Sequence, residues 1–241
     1  MSEPLPLFPL GTVLFPGLVL PLHVFEPRYR RLVRDLMGSR NDGAYGTFGV
    51  VAIRRGWEVD RDPQGGSPLA AGNSLTLYEV GCTAEIRQLT EHPDGRFDLV
   101  TVGQRRFRVV RVRSSETPYL TADIDWMPDE QSEPQRAAEL ASRVHAAFQR
   151  YLRLMRRDGD TEQAGSFAGE QLPDDPTVLS HLVAATASLT IDDRQRLLAE
   201  PDTVSRLRAE LAVLRREASL LQRVRAVPVP LTELAVPSSP N

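Results

Sequence analysis

Residues 4–25 read PLPLFPLGTVLFPGLVLPLHVF, 22 positions without an Asp, Glu, Lys or Arg, bounded by Glu3 and Glu26. A transmembrane helix needs about 20 apolar residues, so length alone permits one. The prolines argue against it. Pro4, Pro6, Pro9, Pro16 and Pro21 each remove a backbone donor, at roughly 3 kcal/mol apiece in a helix interior, and lipid supplies no water to replace the lost bonds. A secretion signal would carry basic residues ahead of its apolar run, but the first arginine is Arg28. The stretch therefore reads as two extended segments, near Leu5 to Phe8 and Leu18 to Val24, joined through a Pro16-Gly17 turn. Leu20 and Leu22 share one face of the second segment, Val19 and Pro21 the other, and both faces are expected to be covered.

Working outward, the first helix is expected directly after the second segment. Pro27 suits a first helical position. Tyr29, Leu32, Val33, Leu36 and Met37 then form one apolar face, and Gly38 stops it. FGVVAI (48–53) is a short strand, and 61–74 is a Gly/Pro/Ser-rich loop. Residues 75–127 read as a meander: a long strand bent at Gly81, an HPDG turn at 92–95, FDLVTV and RFRVVRV separated by Gly103-Gln104, and YLTADIDWM. Beyond PDEQSEPQ (128–135) the pattern turns helical. Ser132 and Gln135 have capping-box spacing, and Ala137, Leu140, Val144, Phe148, Tyr151 and Met155 make a stripe. A polar loop fills 156–172. Asp175-Pro176, Thr190 with Asp193, and Asp202 each open a further helix, the last with Leu207, Leu211, Leu214, Ala218 and Leu221 facing its own bundle. The fold class is α+β, with a β-rich unit over 1–128, helices over 129–227 and a proline-rich tail over 228–241 expected to be disordered.

Composition excludes more than it suggests. The chain has 241 residues, a formal net charge of -3 and 41% hydrophobic residues, ordinary values for a soluble protein with no global pull toward nucleic acid or anionic lipid. All 29 basic residues other than histidine are arginine. Without lysine there is no Walker A motif, no Ser-Lys dyad and no Schiff-base nucleophile. One cysteine, Cys82, rules out an intramolecular disulfide and fits a reducing, cytoplasmic location. The four histidines fall on four different elements without metal-ligand spacing. No metal or cofactor is expected.

Three separated motifs, in order, resemble the Lon protease N-terminal, or substrate-binding, domain. They are LPLFPLGTVLFPGLVLPLHVFEPRYRRLV, then YEVGCTAEIRQLTEHPDGRFDLVTVGQRRFRVVRV, then LTIDDRQRLLAEPDTVSRLRAELAVLRRE. The resemblance covers roughly residues 3–225. It implies a PUA-like β pseudo-barrel followed by a helical bundle, and a role in recognising unfolded or damaged polypeptide. It points to the free-standing members that lack the ATPase and protease modules.

Three functions follow as expectations. The first is a non-catalytic polypeptide-binding module, an adaptor in protein quality control that works with a separate protease or chaperone. Extended peptide would lie between barrel and helices or add to a sheet edge, touching Phe15, Pro16, Leu18, Arg105 and Arg106. Each apolar residue of that set has a core position as its alternative. The second is RNA binding through Arg105, Arg106, Arg108, Arg111 and Arg113, which no dense aromatic interleaving accompanies; a structural role for Arg106 is the competing reading. The third is a minor hydrolase using Cys82, with His92 across the same hairpin; a buried hydrophobe is the commoner fate of a lone cysteine.

Overall fold

A computed structural model describes residues 4–38, 46–55, 76–113, 117–129, 133–155 and 172–224. The two expected loops (apart from Leu172), the Ser132 cap and the tail lie outside the described residues. Among the described residues, seven strands precede four of five helices. They are β1 (Leu5–Leu10), β2 (Val19–Val24), β3 (Thr47–Arg55), β4 (Thr76–Leu77), β5 (Val80–Glu91), β6 (Phe97–Arg113) and β7 (Thr121–Met127), with α1 (Pro27–Gly38) between β2 and β3. The helices that follow are α2 (Pro134–Met155), α3 (Pro176–Thr186), α4 (Ile191–Ala199) and α5 (Thr203–Val224). The change from strand to helix falls between Met127 and Pro134.

β1, β7, β6, β5 and β3 are neighbours in that order, and a parallel β1–β3 pairing closes the ring. All other pairings are antiparallel. Closure explains why β1 is charge-free: both its edges are paired, and five of its six residues are buried. β2 lies outside the ring and, among the described residues, pairs only with the first half of β6.

Two sequence expectations need correction. The runs FDLVTV and RFRVVRV are one 17-residue strand, not two. Gly103 sits mid-strand because the β1–β2 connection presses on it: Gly103 N–H donates to the Leu18 carbonyl at 2.9 Å, and its carbonyl accepts from Gly17 N–H at 2.8 Å. A Cβ there would stand 2.2 Å from the Phe15 carbonyl oxygen. Gly103 serves close approach, and it marks where β6 exchanges β2 for β7 along one edge.

The second correction concerns β2, which is not covered on both faces. Val24 is buried and Leu20 and Leu22 are half-buried, but Val19 is 62% exposed and Pro21 and His23 are exposed. The ladder explains Pro21. The Leu18 carbonyl faces β6, where it accepts from Gly103 N–H, so alternation points the backbone groups of Val19, Pro21 and His23 away from β6. The missing proline N–H breaks no ladder bond there.

The helix stripes pack as their spacing requires. Tyr29, Leu32, Val33 and Leu36 of α1 fill one end of the barrel with Phe8, Phe48 and Phe97. Ala137 to Tyr151 of α2 and Leu207, Leu211 and Leu214 of α5 form a second core with α3 and α4. Val13, Phe15, Ala52 and Val80 belong to that helical core too, so barrel and bundle share packing. The caps expected at Asp175, Thr190 and Asp202 are present. Asp175 accepts from Thr177 and Val178 N–H, Thr190 from Asp193 N–H, and Asp202 from Ser205 N–H. Among the described residues, no helix is long and apolar enough to cross a membrane.

Candidate functional site

Polar and apolar features concentrate in two places: the junction between barrel and bundle, and the open side of β2.

The junction centres on Asp129, just past the last strand. Its Oδ1 accepts from Arg206 Nη2 at 2.7 Å and pairs with Arg106 Nη2 at 2.8 Å, and Oδ2 lies 3.2 Å from His181 Nε2. Arg106 also donates to the carbonyls of Leu198 (2.7 Å), Glu200 (2.5 Å) and Pro201 (3.3 Å). Those carbonyls cluster at the C-terminus of α4, where backbone acceptors lack helical partners and a cation is favourable. Arg206 Nε reaches Ser180 Oγ at 2.8 Å. Burial alone would raise the Asp129 carboxyl, but the His181 hydrogen bond and the two arginine charges outweigh it and hold the group well below the usual carboxylate range. Burial likewise lowers His181, favouring its neutral form. One turn along α5 from Arg206, Glu210 is buried with neither carboxyl oxygen partnered among the described residues, and burial pushes its pKa well up. This cluster clamps strand to helix; it presents no reactive group to solvent.

The open side of β2 is its opposite. An open cleft of about 240 Å³ runs beside the strand, and residues Pro21 to Glu26 line it consecutively. Phe8 and Leu10 of β1 and Tyr29 of α1 form the facing wall. Phe8 and Tyr29 stack at 4.0 Å, and Phe25 is 47% exposed at the mouth. At one end His23 and His92 both bond Asp98, each at 2.6 Å, and these bonds hold the Asp98 carboxyl below its ordinary value.

The sequence-derived contact set is dispersed by the structure. Phe15 is fully buried in the helical core, against His181, and Arg106 is 1% exposed in the junction, so neither offers a surface. Pro16 and Leu18 are half-buried at the turn entering β2. Arg105 is exposed and lies over the Trp126 ring at 3.9 Å. None of the five lines the cleft. The arginines proposed for RNA are mostly engaged: beside Arg105 and Arg106, Arg113 pairs with Asp123 at 2.5 Å and Arg108 with Glu79 at 3.8 Å. Cys82 is fully buried, and burial pushes its thiol up to about 12. His92 bonds Asp98 at the far end of β5, so Cys82 and His92 form no nucleophile–base pair. Among the described residues, no group of three or more His, Cys, Asp or Glu could hold a metal.

Sequence reasoning missed Asp129, which sits in the polar run 128–135 where nothing distinguishes it from a linker residue. It also missed the Pro21–Phe25 edge, although a proline beside an exposed-type histidine in an otherwise apolar strand was an available signal.

The family model for the ATP-dependent protease La (LON) substrate-binding domain matches residues 4–216. Lon protease 2 of Myxococcus xanthus is 31% identical over 224 residues, covering 92% of this chain and 24% of that protein. Lon protease 1 of Herpetosiphon aurantiacus is 29% identical over 214 residues, covering 88% and 24% respectively. The chain thus spans about a quarter of the length of these relatives. Among solved structures, a Lon N-terminal domain protein from Xanthomonas campestris superposes with a TM-score of 0.58 at 27% identity, covering 88% of this chain and 98% of that one. The N-terminal domain of a Mycobacterium avium complex Lon protease, at 18% identity and a TM-score of 0.56, shares the fold. In motif order, barrel closure and helical bundle alike, this chain belongs to the Lon substrate-binding domain family.

Proposed function

We propose that the protein is a non-catalytic polypeptide-binding module that holds extended, unfolded polypeptide along the open side of β2. The observation that carries this reading is the juxtaposition of a strand edge unpaired among the described residues with an apolar cleft. The outward carbonyls of Val19, Pro21 and His23 accept main-chain hydrogen bonds. Phe8, Leu22 and Phe25 receive alternate apolar side chains. Such a mode gives affinity through backbone groups common to every peptide and little sequence preference, which suits recognition of unfolded chains. Pro16 and Leu18, at the turn before β2, extend the track by a few residues. Membership in the substrate-binding family supports the reading. In this account the protein acts as an adaptor in cytoplasmic quality control, presenting clients to a separate protease or chaperone. The absence of lysine supports its being non-catalytic, since ATP-dependent cleavage of the Lon kind requires lysines this sequence does not contain.

The test is fluorescence anisotropy with labelled, reduced and carboxymethylated lactalbumin, a permanently unfolded chain. Phe25→Ser should weaken binding about tenfold or more, as loss of an exposed aromatic anchor does. Trp126→Ser, which removes an equally exposed aromatic on β7, should leave it unchanged. Equal losses in both variants, or none in either, would contradict the assignment to β2.

A further inference from the structure

Apart from the β2 cleft, a groove of about 490 Å³ lies between α2 and α5. Each helix lines it with two arginines seven residues apart that bracket a leucine: Arg136, Leu140 and Arg143 on α2, and Arg208, Leu211 and Arg215 on α5. Seven residues are two helical turns, about 10.5 Å along each axis. The leucines are buried and form an apolar floor, while all four arginines are exposed around it.

Some arginines elsewhere on the surface have carboxylate partners. Arg31 pairs with Asp35, Arg96 with Asp94, and Arg216 with both Asp193 and Glu217. In the groove only Arg136 has one, Glu133 at 3.1 Å. Arg143, Arg208 and Arg215 have no carboxylate within ion-pair distance among the described residues, and Glu139 is the single acid lining the groove. Four guanidiniums against two carboxylates, Glu139 in the lining and Glu133 on Arg136, leave a local excess of positive charge on a chain whose net charge is -3. That excess costs self-repulsion unless an anionic partner relieves it.

We infer that this groove docks an acidic, amphipathic segment of another polypeptide. Its carboxylates, one or two helical turns apart, pair with the bracketing arginines, for which forked guanidinium–carboxylate bonding is well suited. Its apolar residues lie against Ala212, the exposed apolar residue of the groove. Nucleic acid fits less well: no aromatic side chain lines the groove to stack a base. The inference does not depend on the β2 reading, because the two surfaces share no residue.

The experiment titrates the full chain against a fluorescein-labelled helical peptide built of Glu and Leu, beside its Gln-for-Glu counterpart and a single-stranded oligouridylate. The Glu peptide should bind, weaken about tenfold or more in an Arg143→Glu/Arg215→Glu variant, and weaken again as salt rises from about 50 to about 300 mM. The Gln counterpart should bind at least about tenfold more weakly than the Glu peptide. An Arg143→Gln/Arg215→Gln variant, which adds no repulsion, should show the same direction of change if the Glu variant melts early. Phe25→Ser should leave this binding intact; a loss there would place the peptide in the β2 cleft and overturn the inference. It is equally overturned by no binding at low salt, by equal binding of the Gln counterpart, or by tighter binding of oligouridylate than of the peptide.

Discussion

The junction at Asp129 and the open edge of β2 use polar groups in contrary ways. At the junction, charged side chains are largely buried and bonded to one another and to backbone carbonyls, tying β6 to the end of α4 and the start of α5. At β2, no strand among the described residues pairs the outer edge, which lies beside exposed apolar side chains. A buried charge network loses a great deal when one member is removed, because the others are left unpaired. An open edge loses little on its own and gains most when another chain covers it. Position in the fold therefore separates what the residues hold together from what they are free to bind.

Breaking the junction should have a large effect. Arg106→Met leaves Asp129 short of a partner and strands the carbonyls of Leu198, Glu200 and Pro201, so a loss of about 3–5 kcal/mol is expected in urea unfolding. A loss under about 1 kcal/mol would show the clamp to be dispensable. Within β2, the two faces should respond differently. Val24→Asp places a carboxylate in the barrel core and should abolish cooperative folding, whereas Val19→Asp, at a 62% exposed site, should change stability by no more than about 0.5 kcal/mol. Similar melts for the two variants would mean the strand's facing is misassigned.

Smaller effects sharpen the junction through pH. Asp129 and His181 have depressed folded-state values, so their contributions are present above their unfolded values of 3.8 and 6.5 and are lost as pH falls through and below these. Glu210 has the opposite sign. Its value is raised on folding, so its contribution is intact below the unfolded value of 4.5 and fades as pH rises toward its folded value. Glu210→Met removes both the orphaned carboxyl and that penalty. Thermal melting should show stabilisation by about 1–3 kcal/mol, greater at pH 8 than at pH 5. A variant less stable than the parent at both pH values would show that the carboxyl has a partner.

Much of the fold was legible because local chemistry and tertiary role agree there. The proline-rich opening could only be extended chain, the α1 and α5 stripes face single cores, and Asp175, Thr190 and Asp202 cap the helices they precede. Legibility failed where a distant contact decides. Gly103 looks like a turn residue, and only the Phe15 carbonyl pressing on it shows why a strand needs glycine there. Phe15 and Arg106 looked available for binding. One is buried in the helical core and the other reaches α4, more than ninety positions along the chain. The β2 edge was hidden for a different reason: its apolar composition reads as burial on both faces, and which face is covered depends on ring closure by β1 and β3, a long-range parallel pairing with no local signature.

The most direct test of the central claim is hydrogen exchange on the full chain, with and without saturating reduced and carboxymethylated lactalbumin. The outward amides of Val19 and His23, together with Phe25, should slow when the unfolded chain is present, while the amides of α4 and the first turns of α5 stay as they were. Protection confined to the helices, with β2 exchanging freely while the chain is bound, would contradict the assignment of polypeptide binding to the open edge.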